Sequence, residues 1–137
     1  MGTRRLKYTS FLILSLSLIV FLTSSFTFSS FGMPETLTNA FKKGNFKEIS
    51  KSFDETIELE ILDHEGIYSK TQAEQVLKTF FIKNVPSDFS VVHEGGRETS
   101  LYVIAIIKTT NGNYRINFLF KSKKILQLRI ESENGNK

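Results

Sequence analysis

The chain of 137 residues contains no cysteine and only two histidines, His64 and His93. Without thiols it can form no disulfide, carry no lipid on an N-terminal cysteine and use no thiol nucleophile, so its fold must rest on packing alone. Two histidines without a cysteine are poor material for a zinc site, which draws mainly on nitrogen and sulfur ligands, and no metal or cofactor is expected. A glycine-rich phosphate loop, a nucleophile elbow, an internal repeat and a long linker are all absent. Positive charge is also scarcer than the formal +4 suggests. Arg4, Arg5 and Lys7 stand in the first ten residues, and beyond residue 32 the count is 15 Lys+Arg against 14 Asp+Glu, about +1. A nucleic-acid partner needs a basic face on the folded domain, which this balance does not offer.

What is present begins with that basic start. After it runs Phe11 to Leu22, a dozen uncharged residues rich in Leu, Ile and Phe, followed by Ser- and Thr-rich sequence. This is the pattern of a signal peptide covering residues 1–32, with Ser30 and Gly32 suited to cleavage before Met33 and an earlier site near Thr23 or Ser25 as the alternative. The apolar run falls short of the roughly 18–20 residues that cross a bilayer comfortably. An uncleaved anchor over residues 6–28 remains the competing expectation, and would be the chain's sole link to a membrane. The expected location is periplasmic or secreted. Residues 33–133 are then one domain and 134–137 a polar tail.

The domain opens helically. Met33, Leu37, Ala40 and Phe41 recur at helical spacing from Pro34 to Gly44, and a second short helix follows, with Asn45 and Glu48 as cap and reciprocal partner. Thr56–Leu62 changes to period two, as in a half-buried strand. Ser69 and Gln72 form an S-x-x-Q capping box for a third helix, whose Ala73, Val76, Leu77, Phe80 and Phe81 share one side and which should end near Asn84, ahead of Val85-Pro86. Four strands follow, at 89–94, 101–108, 113–121 and 124–131, with Asn111-Gly112 as a tight-hairpin signal. Leu101–Ile107 is apolar on both faces, as in a central strand. Helices followed by an antiparallel meander predict an α+β domain with helices on one face of a curved antiparallel sheet.

The sequence "FKKGN" (Phe41–Asn45), "YSKTQAEQVLKTFF" (Tyr68–Phe81) and "QLRIE" (Gln127–Glu131) resembles a family of small exported bacterial proteins classified only as a domain of unknown function. Over nearly all of Met33 to Glu131, the order of elements is similar to the nuclear-transport-factor-two-like cone of the cystatin-like group. That group holds isomerases, dehydratases, hydrolases and non-enzymatic binding or dimerising domains, so the resemblance implies a fold without a catalytic residue.

Candidate residues are few. Asp63, His64 and Glu65 form an acid-His-acid run, but strand alternation would set His64 opposite the two acids, and a turn would make Asp63 and Gly66 ordinary turn residues. His93, continuing the face of Phe89 and Val91, is the better inward histidine. With Tyr68, Tyr102 and Tyr114, whose hydroxyls could rim an apolar pocket, it makes a candidate pocket set. Arg115, Asn117, Gln127 and Arg129 alternate with apolar Phe118 and Leu128 and form a polar stripe for a dimer or partner face. The expected role is a non-catalytic binding or interaction domain, taking a small apolar ligand or a protein partner, with a homodimer as one form. The alternative is a small-molecule lyase, isomerase or hydrolase with polar groups in the cone.

Overall fold

The structure, a computed structural model, describes residues 32–134. The signal-peptide or anchor reading of the first 31 residues and the tail at 135–137 fall outside the described part. Helix α1 spans Glu35–Lys43, with Glu35 in its first turn and Lys42 and Lys43 in its last, signs that suit the helix dipole. It ends on Gly44, whose left-handed φ of 62° closes the last turn. Helix α2 spans Phe46–Ser50. Asn45 caps it by accepting from the Glu48 N–H at 3.1 Å. The expected reciprocal bond is not made: Glu48 pairs with Lys51 instead, and the Asn45 N–H goes to the Ala40 carbonyl.

Strands β1 (Phe53–Ile61) and β2 (His64–Ser69) form a hairpin around Leu62-Asp63. Helix α3 (Lys70–Lys83) starts on a complete capping box: Ser69 Oγ accepts from the Gln72 N–H, and Gln72 Oε1 accepts from the Ser69 N–H. Then come β3 (Pro86–Arg97), β4 (Ser100–Thr109), β5 (Gly112–Lys121) and β6 (Lys124–Ser132). The six strands lie in the order β2-β1-β6-β5-β4-β3. The sheet stays open, with β2 and β3 at opposite edges. Helix α3 joins those two edges and therefore crosses the sheet face, about 21 Å at helical rise.

The sheet departs from the expected pattern in two ways. It is not wholly antiparallel, because β1 pairs with β6 in parallel. Folding the β3–β6 meander back brings β6 beside β1 running the same way, a pairing no local signal announces. Nor is β4 central: it lies next to the edge strand β3, and its outward Ile104 and Ile106 are half-buried. Register shifts in β3, in β6 at Leu126 and between β1 and β6 bend the sheet around the helices.

The core fills the concave side. Phe41 stacks on Phe89 at 5.1 Å between centroids and meets Phe118 edge-on at 5.2 Å, geometries that suit aromatic quadrupoles. Leu59, Leu77, Val103, Ile116 and Ile130 are fully buried around them. The buried Ser50 hydroxyl donates to Glu74 at 2.7 Å, tying α2 to α3.

Candidate functional site

Strand pairing places each candidate on one face or the other. On the concave side, Ile57 pairs with Tyr68, Leu59 with Gly66 and Ile61 with His64, so Tyr68 and His64 face the helices. Gly66 is a strand residue here and not part of a turn. A Cβ on it would lie 2.9 Å from the Tyr68 ring, so glycine leaves room for that ring to lean along the strand. The three residues Asp63, His64 and Glu65 are split as alternation requires. Asp63 is in the turn, His64 faces inward and Glu65 pairs with Glu60 on the other face. Among the described residues, no three His, Asp or Glu side chains gather to hold a metal.

Tyr114 also faces inward, and Phe80 meets its ring edge-on at 5.2 Å. Its hydroxyl donates to Asn84 Oδ1 at 2.9 Å, and Asn84 Nδ2 donates to the Phe80 carbonyl at 3.0 Å. The buried polar groups therefore satisfy one another at the C-terminus of α3, as low-dielectric surroundings demand.

The other two pocket candidates do not join them. The register of β3 shifts between Val91, opposite Ala105, and His93, opposite Ile104. This bulge inserts one residue and inverts the alternation that follows. His93 consequently lies exposed on the outer face, and Glu94 takes the inward phase opposite buried Val103. Tyr102 is outward too. In a strand apolar on both faces its phase was ambiguous, and the buried partners Leu101 and Val103 settle it.

Arg115, Asn117, Gln127 and Arg129 lie together on the outer face, in neighbouring register on β5 and β6. Tyr102 donates to Asn117 Oδ1 at 3.2 Å, and Asn117 Nδ2 donates to Glu131 at 3.4 Å. Arg129 Nε meets Glu60 at 2.6 Å, and Gln127 donates to Glu58 at 2.8 Å. Arg115 stands opposite Glu131 in register.

An open groove of about 360 Å³ lies where the β1–β2 hairpin meets α3. Ile61, Tyr68, Val76 and Phe80 form its apolar floor, while His64, Thr79 and Lys83 stand at its polar rim. Sequence reasoning missed Thr79, Lys83 and the role of His64. The available signal was the spacing of Val76, Thr79 and Lys83, three residues on one flank of α3 beside its buried stripe.

Residues 34–132 match the family model described as Domain of unknown function (DUF4783). The chain belongs to the DUF4783 family. A DUF4783 protein from Bacteroides uniformis is 34% identical, with a TM-score of 0.71 over 75% of this chain and 99% of its own. One from Bacteroides fragilis is 37% identical, with a TM-score of 0.69 over 74% of this chain and 99% of its own. A structure from Burkholderia xenovorans, described as an NTF-2 like protein of unknown function, is 10% identical with a TM-score of 0.58 over 75% of this chain and 81% of its own. That likeness concerns the fold alone, which in this DUF4783 chain is α+β and nuclear-transport-factor-two-like. No curated protein matches the chain.

Proposed function

We propose that this DUF4783 protein is an exported, non-catalytic binding module, and that the groove between the β1–β2 hairpin and α3 is its ligand site. The observation that carries this reading is the content of the cone. Aromatic rings fill it, and its internal polar pair, Tyr114 with Asn84, is occupied in mutual hydrogen bonds. General acid–base chemistry needs a titratable group within hydrogen-bond reach of a substrate atom. His93, the expected provider, is on the opposite face of the sheet. The lyase, isomerase or hydrolase alternative is less supported without His93 beside the tyrosines. The groove instead offers an apolar floor with the Lys83 ammonium and the His64 ring at its rim, which suits a small amphipathic molecule with an anionic end.

The test is titration of the full chain with anilinonaphthalene sulfonate, which combines an apolar ring system with an anion. Thr79→Trp should fill the groove from an exposed helix position and weaken binding about tenfold, worth roughly 1.4 kcal/mol. Lys83→Glu should weaken it by a smaller factor. Unchanged fluorescence titrations in both variants, at unchanged thermal midpoints, would remove the groove from consideration.

The outer sheet face favours a second reading, pairing with another copy. Glu58, Glu60 and Glu65 lie on the β1–β2 side, and Arg115 and Lys108 on the other, with half-buried Ile104, Ile106 and Leu119 between. A two-fold axis would set acid against base across such a face. Reversing Arg115 and Arg129 to Glu should lower the mass measured by light scattering from dimer to monomer. A monomer mass before and after disposes of the pairing.

A further inference from the structure

The start of the described chain meets an acid that strand alternation alone would point away from the helices. The Met33 N–H donates to Glu94 Oε1 at 2.8 Å across 61 positions of sequence. Glu94 is on that side because the bulge at Val92 inverts the phase of β3. The Met33 side chain is half-buried against the core, so the residue is held by both its nitrogen and its thioether arm. Before it, a Cβ on Gly32 would lie 2.7 Å from Glu94 Oε2, the movable end of that side chain, so the carboxylate reaches the backbone on both sides of the Gly32–Met33 bond. Ser30 and Gly32 are the small residues, third and first before the Gly32–Met33 bond, that a signal peptidase reads.

We propose that the Gly32–Met33 bond is the processing site of this protein and that Glu94 is the seat of the α-amino group that processing creates. Hydrolysis adds one water across that bond. The hydroxyl goes to the Gly32 carbonyl, which leaves as a carboxylate on the released peptide, and Met33 keeps its nitrogen as an ammonium. The amide-to-carboxylate hydrogen bond, charge-assisted on its acceptor side alone, then becomes an ion pair on the same two atoms. It fastens the new N-terminus to β3 at the point where α1 begins. The inference rests on the export reading and adds to it a position and a receptor.

The full chain, with its own leader, is produced in a bacterial host, recovered by cell fraction and weighed by mass spectrometry. Cyanate is then added at neutral pH, and carbamylation of the α-amine is followed by peptide mapping in wild type, Glu94→Gln and Glu94→Asp, with lysine side chains as internal reference. The expected product is exported and begins at Met33. Its α-amine should react about threefold faster in Glu94→Gln, the scale of an exposed ion pair, with Glu94→Asp between the two. An exported chain beginning elsewhere, for example near Thr23 or Ser25, overturns the processing site and leaves export standing. A chain retained whole in the cytoplasm overturns both. A Met33 terminus reacting at equal rates in all three proteins overturns the role of Glu94.

Discussion

The two faces of this one sheet handle polar groups in opposite ways. On the concave face, every second side chain of β5 is buried, and the one hydroxyl among them, Tyr114, is matched to Asn84. On the outer face, the intervening positions carry Arg115, Asn117 and, across the pairing, Arg129 and Gln127, linked into a partly solvated ladder. Each face matches polar groups within the protein, but for different reasons. Burial makes an unmatched group costly inside, whereas outside water can replace any partner that is lost. The inner face therefore sets stability, and the outer face is open to contact with other molecules.

The largest expected contrast is between two adjacent residues. Phe118→Ala should cost about 3–5 kcal/mol, the usual range for deleting a buried aromatic ring. Asn117→Ala, one position along and on the other face, should stay within about 0.5 kcal/mol. Urea denaturation of both variants measures the difference, and equal losses would break the distinction between the faces.

A matched pair of tyrosines sharpens it. Tyr114→Phe leaves Asn84 Oδ1 buried without its donor and should cost about 1–2 kcal/mol, while Tyr102→Phe, at an exposed hydroxyl, should cost about 0.5 kcal/mol or less. Calorimetry of the two variants decides the order. The smallest contrast concerns the ladder itself, between low and high salt. Arg129→Met breaks the Glu60 pair, half-exposed on the arginine side, and should cost no more than about 1 kcal/mol at low salt. The loss should shrink further at 1 M salt, where the Debye length is about 3 Å. A loss unchanged by salt would mean that Arg129 acts through packing of its aliphatic stem.

Local chemistry made part of this molecule legible in advance. The capping box of Ser69 and Gln72, the left-handed Gly44 and the alternation along β5 each depend on neighbours within a few residues. They placed α1, α3 and the polar stripe of Arg115, Asn117, Gln127 and Arg129. What escaped depends on single-residue shifts and on distant pairings. One inserted residue near Val92 sends His93 outward and Glu94 inward, and a bulge carries no reliable composition of its own. Tyr102 sits in a strand with apolar residues on both faces, so alternation gave it no phase. The parallel pairing of β1 with β6 joins segments roughly 70 residues apart. The groove combines a hairpin with a helix flank, and His64 takes part only because Leu62-Asp63 turns the chain and returns it to the concave side.

Titrating the isotope-labelled protein with anilinonaphthalene sulfonate, followed by two-dimensional NMR, tests most directly the claim that binding occurs in the groove and not within the cone. Saturable shifts clustered at His64, Tyr68, Val76, Thr79 and Lys83, with Phe118 and Tyr102 unmoved, are expected. Shifts centred on Phe118 and its buried neighbours, or on Tyr102 and Asn117, would contradict it.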